Sequence, residues 1–311
     1  MKKNYLMGVV MCLIAVLSWG GMFPIMGPAL KIMDPFYFTL FRYGSVAIIF
    51  SILLLIFEGK QAFRPEGKSL KLWFLGTLAF AGFSFLVFLG QKIAGASGSL
   101  IASVMMAVQP LLGVLVAWKF RGVKPTVVSF ISMIIAGIGV FMVVTKGNPS
   151  SLFKSSSSLL AAFFILLGAL CWVIYSSGGA EFPSWSILRY STLTTIYGIF
   201  SVIVILILAT LLGFLSVPSV SQITGVSGAL AYMISFAGVI AVFTWNMGNR
   251  LIDSINGILF MNLVPITSFV ITIFMGYKIS LFEMIGCILT ICALVGNNLY
   301  NRYQLKLSKD N

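Results

Sequence analysis

Read from its first residue, the chain alternates long apolar runs with short polar breaks. The runs cover about 5–25, 36–57, 72–92, 97–118, 126–145, 158–178, 187–213, 225–247, 252–275 and 281–300. An α-helix rising ~1.5 Å per residue needs about 20 apolar residues to cross a ~30 Å hydrocarbon core. Each run meets that length, so the pattern predicts ten transmembrane helices. A membrane β-barrel would alternate apolar and polar positions over ~10-residue segments instead. The expected fold class is all-α integral membrane.

Composition agrees. Of 311 residues, 59% are hydrophobic and 9% charged, against about 25% charged in a soluble domain. Such a chain cannot cover a water-facing surface, which excludes a soluble enzyme. The net charge of +13 would suggest nucleic acid on a soluble module, but no basic cluster stands on one here. Of the 20 Lys and Arg, thirteen fall on the N-terminal side of the predicted membrane, five on the other, and Arg42 and Arg189 within or near spans. That asymmetry predicts a multi-pass protein of the cytoplasmic membrane with both termini cytoplasmic. The first apolar run is too long for a signal-peptide core and reads as a retained span. The four cysteines sit in apolar stretches without metal-ligand spacing and there is no His, so neither metal nor cofactor is expected.

A Ser-rich segment at 147–158 bisects the chain, and the halves share landmarks in the same order. Ser18-Trp19, Pro35 and Phe41-Arg42-Tyr43 are matched by Cys171-Trp172, Pro183 and Leu188-Arg189-Tyr190. Phe80-Ala81-Gly82 is matched by Phe236-Ala237-Gly238, Gly90-Gln91-Lys92-Ile93 by Gly248-Asn249-Arg250-Leu251, and Pro110 by Pro265. Five spans per half is an odd number, so the second copy enters the membrane from the opposite side. The result is two inverted five-helix repeats, the architecture of alternating-access carriers.

With Ser18-Trp19-Gly20, Pro35 to Arg42-Tyr43, and Phe260-Met261-Asn262-Leu263-Val264-Pro265, the chain resembles the EamA-type drug/metabolite transporter superfamily. The resemblance spans about 7–145 and 159–301. It implies ten helices with both termini cytoplasmic, and a division into a first EamA-like repeat at 1–148, a linker at 149–158, a second repeat at 159–301 and a basic cytoplasmic tail at 302–311. The chain departs from the superfamily pattern where Gln109 and Val264 precede the mid-span prolines, positions where similar proteins often carry Glu. Arg121 and Tyr277 likewise stand where an acidic residue often ends the fourth helix of each repeat.

A site between inverted repeats lies near the midplane, where helices break and polar or aromatic side chains collect. Trp19 and Trp172 are interior and symmetric; they read as cavity residues, or as interfacial belt residues. Tyr175, Tyr43 and Tyr190 accompany them. Trp73, Trp118 and Trp185 lie at span ends and read as belt. Met106, Gln109, Asn262, Trp245 and Asn246 are polar or soft groups within spans, read as solute contacts or as interhelical hydrogen-bond glue. Pro24, Pro110 and Pro265 mark helix breaks, and a mid-span proline frees the carbonyl four residues back, here of Met106 or Met261. Arg42 and Arg189 either snorkel to the interface or act as a gate or partner for an anionic group. Glycines such as Gly76, Gly82, Gly113, Gly137, Gly139 and Gly238 read mostly as close-packing positions.

The expected partners are the lipid bilayer and a small-molecule solute, not nucleic acid. The first functional reading is a carrier of a small metabolite, an amino acid or related zwitterion. It would work without proton coupling, because all seven acids fall in loops or at span ends. The second is a carrier of a quaternary or other organic cation, held in an aromatic box and driven by membrane potential. A membrane scaffold or enzyme is the third, and it lacks a catalytic constellation.

Overall fold

The computed structural model describes residues 2–122, 124–148, 156–252, 260–261 and 263–310, and contains no strand among them. Its helices are α1 (Lys2–Gly20), α2 (Met22–Ala29), α3 (Pro35–Glu58), α4 (Ser69–Gly76), α5 (Phe83–Ile93), α6 (Gly98–Ala107), α7 (Gln109–Arg121) and α8 (Val127–Thr145). The second half adds α9 (Ser156–Gly178), α10 (Ile187–Leu211), the short α11 (Val220–Gly225), α12 (Ser227–Ile234), α13 (Ala241–Ile252), α14 (Leu263–Phe274) and α15 (Leu281–Asp310). Seven stretches are long and apolar enough to cross a membrane, and α6 with α7 makes an eighth bent by 46°. Two shorter apolar helices, Leu263–Phe274 and Leu281–Asn297, complete the set.

The helices are patterned for lipid. In α8 the exposed face carries Val127, Ile131, Ile134, Ile138 and Phe141 at helical spacing, while Ser129, Ser132, Ala136 and Gly139 face inward. Water would demand the reverse; a bilayer rewards apolar side chains outside and small residues where helices meet. Gly139 packs so closely on Gly286 and Thr290 that a Cβ would collide with both. Gly76 meets α10 at Gly198 in the same way, whereas Gly137 faces open space and Gly113 touches nothing closer than Val173. Those last two are not close-packing positions.

Local chemistry sets the breaks. Asp34 caps α3 through the Phe36 amide at 2.9 Å, with Pro35 in the first turn. Between α1 and α2 the chain turns at Gly21, and Pro24 cannot donate to the Gly20 carbonyl. Beside this turn the Tyr232 hydroxyl donates to the Ser18 carbonyl at 2.8 Å, over a Gly21 whose Cβ would strike that hydroxyl. Pro110 starts α7 after a break at Val108. Two widened π-helical turns, Thr77–Gly82 and Ser235–Ile240, each contain one of the matched Phe-Ala-Gly triplets.

The ninth apolar run starts next to residues 253–259, which with 262 lie outside the described ones; its described helix is α14, from Leu263. The basic segment expected from 302 is helical as far as Asp310, in line with the rest of α15.

Packing is reciprocal between the halves. α1 lies along α13 as α9 lies along α5, and α1 touches α14 as α9 touches α6. α3 packs on α12 as α10 packs on α4, while α3–α10, α6–α14 and α8–α15 pair directly.

Candidate functional site

A small cavity lies where α1, α2, α3, α5, the break between α6 and α7, α9, α13 and the start of α14 converge. Trp19, Met22, Phe23, Arg42, Tyr43, Phe83, Met106, Gln109, Trp172, Ala237, Val242, Met261 and Val264 line it. Its free volume is about 30 Å³, room for about two water molecules. A solute of amino-acid size therefore enters only if the lining side chains move apart.

Aromatic rings form its wall. Trp19 and Trp172 meet edge to face with centroids 6.0 Å apart, a favourable arrangement of ring quadrupoles. Phe83 leans on Trp172 at 5.3 Å, and Tyr43 meets Phe80 at 4.7 Å. The Trp19 indole N–H donates to the Ala237 carbonyl at 3.1 Å, and Arg42 Nη2 reaches the same oxygen at 3.4 Å. Ala237 sits in the second π turn, and such widened turns commonly mark functional positions in helices. Gln109 donates to the Met106 sulfur at 3.3 Å beside the α6–α7 break. The Phe23 carbonyl accepts from Gln91 at 2.7 Å and Ser99 at 2.9 Å, which fixes α2 as one edge of the site. Among the described residues no cluster of His, Cys, Asp and Glu could hold a metal ion.

Residues 6–145 match the EamA-like transporter family. The uncharacterized transporter YrdR of Bacillus subtilis (strain 168) is 42% identical over the whole of this chain and 98% of its own length. The chain belongs to the EamA-like transporter family. Another B. subtilis protein, the uncharacterized transporter YyaM, is 29% identical over 82% of this chain and 81% of its own. A crystal structure of an 18% identical protein superposes with a TM-score of 0.65, covering 98% of this chain and 99% of that one. At that identity the likeness shows a shared fold.

Within this EamA-like chain the residues singled out from the sequence divide into layers. Trp19, Trp172, Tyr43, Arg42, Met106 and Gln109 line the cavity. Trp245 lies one layer behind, its ring 5.4 Å from Trp19. Tyr175 backs Trp172 at 5.3 Å, and Tyr190 stacks on Tyr175 at 5.5 Å, farther out. Asn246 is glue: its amide donates to Ser191 of α10 at 3.2 Å. Pro24 is buried within α2 and Pro265 within α14, and Asn262 lies outside the described residues.

The two arginines part company. Arg42 is buried at the cavity, 1% exposed. Arg189 instead forms an ion pair with Glu66 at 2.6 Å and donates to the Arg64 carbonyl at 2.7 Å. Trp185, expected in the interfacial belt, is only 2% exposed. It donates to Glu66 at 2.9 Å, and the Arg189 guanidinium lies 4.0 Å from its ring centroid. With the Lys71–Glu181 pair, these residues lash the 59–71 segment to the 179–189 segment. The Arg189 and Trp185 hydrogen bonds hold the Glu66 carboxyl below the usual carboxylate range. Trp73 and Trp118 are exposed, as belt residues are.

Phe83, Val242 and Met22 carry no polar or symmetric signal of their own in the sequence. Phe83 could be found by its place directly after the Phe-Ala-Gly triplet.

Proposed function

We propose that this EamA-like protein is an alternating-access carrier with ten transmembrane helices in two inverted five-helix repeats. Its solute, an amino acid or related zwitterion, binds in the cavity between the repeats. The observation that carries the reading is the reciprocal packing around that cavity. Exchanging the halves turns the α1–α13 contact into α9–α5 and the α1–α14 contact into α9–α6, and it maps Trp19 onto Trp172 across the cavity. Such a molecule reaches its opposite-facing state by swapping the conformations of its halves.

In this reading the seven long spans and the bent α6–α7 pair are joined by the two shorter apolar helices as further crossings, ten in all. The basic bias of the loops places both termini in the cytoplasm. Ring faces of Trp19 and Trp172 suit the apolar part of the solute, and Gln109 suits a polar end. No carboxylate or imidazole lines the cavity among the described residues; transport runs down the solute's own gradient, without proton coupling. A choline-like cation would meet Arg42, a like charge, so the zwitterion is preferred.

The experiment is a thermal-shift panel on purified protein in detergent, comparing amino acids with quaternary amines. Stabilisation by an amino acid, lost in both Trp19→Ala and Trp172→Ala, supports the reading. Stabilisation by quaternary amines alone, or by a ligand that survives both substitutions, contradicts it.

A further inference from the structure

We infer that Arg42 is the point at which the carrier recognises a carboxylate on its solute. The inference rests on the reading of the cavity as the transport site and narrows its substrate class.

Arg42 and Arg189 occupy matched positions, each followed by tyrosine, yet among the described residues only Arg189 has an acidic partner. The guanidinium of Arg42 touches the Ala237 carbonyl at 3.4 Å and the Met22 sulfur at 3.7 Å, both through Nη2. It lies 4.5 Å from the Tyr43 ring centroid and 5.8 Å from that of Phe88. Its Nε and Nη1 are buried without a hydrogen-bond partner. The described carboxylates are committed elsewhere: Asp34 to Lys92, Glu66 to Arg189, Glu181 to Lys71, Glu58 to Ser186, and Glu283 to Tyr277 and Lys146.

A guanidinium stays protonated in any protein environment. Buried charge without a counter-ion is costly, and a partner must bring the opposite charge with hydrogen-bond acceptors. Here the open N–H groups belong to a residue that lines the cavity, so the missing acceptor belongs to the solute that enters it. One positive charge, with no second Lys or Arg lining the cavity among the described residues, balances one carboxylate and leaves a phosphate dianion undercompensated. The other lining side chains include the aromatic rings of Trp19, Phe83 and Trp172. The solute is therefore a monocarboxylate with an apolar body, and a zwitterionic amino acid meets that description.

Three probes of one carbon skeleton separate the groups: leucine, 4-methylpentanoate (no amine) and isopentylamine (no carboxylate). Binding is read as thermal stabilisation and as ligand concentration at half-effect. The wild type is expected to bind leucine and 4-methylpentanoate but not isopentylamine. Arg42→Met is expected to weaken both carboxylates tenfold or more, and without ligand to unfold at a higher temperature than the wild type, because an unpaired charge is gone. Should Arg42→Met not fold, Arg42→Lys keeps the charge but loses the planar fork, and a tenfold loss of leucine affinity is expected there too.

Leucine binding unchanged in the Arg42 variants but lost in Trp19→Ala overturns the inference and leaves the cavity standing as the site. Leucine binding that survives all of these substitutions overturns the site and the inference together, as does a wild type that binds none of the probes. Preference for isopentylamine, or a lower unfolding temperature of ligand-free Arg42→Met, overturns the inference alone.

Discussion

Trp19 and Arg42 donate to one and the same acceptor, the Ala237 carbonyl, at 3.1 and 3.4 Å. Two side chains from the first half of the chain are thereby tied to the π turn of the second. Substitution of Trp19 separates the roles of its ring and its N–H. Trp19→Phe removes one hydrogen bond and should cost about 0.5–1.5 kcal/mol. Trp19→Ala also empties ring volume and should cost about 3–5 kcal/mol. Thermal or denaturant unfolding in detergent checks the order; equal losses would mean that the ring contributes nothing.

The glycines of the α8–α15 contact give a paired test. A Cβ at Gly139 meets Gly286 and Thr290, whereas one at Gly137 meets nothing. Gly139→Ala should destabilise by about 1–3 kcal/mol through overpacking. Gly137→Ala should be neutral, or stabilising by up to ~1 kcal/mol through helix propensity. Unfolding midpoints of the two variants, measured side by side, decide it.

The Glu66 latch makes a pH prediction. The Arg189 and then the Trp185 hydrogen bonds lower the folded-state pKa of Glu66 below its ordinary value. Its stabilisation is therefore fully present above the unfolded carboxylate pKa of about 4.3, and it is lost as pH falls through the lower folded value. Glu66→Gln should unfold at a lower temperature than the wild type at pH 7, and that difference should shrink as pH falls below the ordinary carboxylate range and through the lower folded value. Because Glu66 is half exposed, added salt should shrink the difference as well. A difference independent of pH would assign the effect to packing.

Coupling is tested with an imposed pH gradient. Proteoliposomes loaded with leucine at equal concentrations inside and out should show no net uptake when the gradient is applied. Accumulation under those conditions would point to a titrating group in the pathway, and the buried Glu283 at the start of α15, which accepts from Tyr277 at 2.7 Å, would be the first residue to neutralise.

Much of this architecture is legible in the sequence. Apolar runs mark helices because the bilayer leaves no alternative for backbone polar groups, and Trp19 with Trp172 stands out because the landmark repeats. Helix rotation is not legible. A widened π turn inserts an extra residue and rotates the remainder of the helix by about 100°, which places Phe83 and Val242 at the cavity without any mark in their own side chains. Nor can local sequence separate Arg42 from Arg189, since the difference lies in Glu66, a loop residue far away in the chain. Trp185 is a similar case: its position at a span end suggests the belt, but the Glu66 carboxylate and the Arg189 guanidinium enclose it.

A solute path between two matched halves is tested most directly by counterflow in proteoliposomes. Liposomes holding unlabelled leucine should take up labelled leucine with wild-type protein. Both Trp19→Ala and Trp172→Ala, reconstituted in folded form as judged by their unfolding midpoints, should lose most of that exchange. Exchange at the wild-type rate in both variants would contradict the account and move the path away from the cavity these rings enclose.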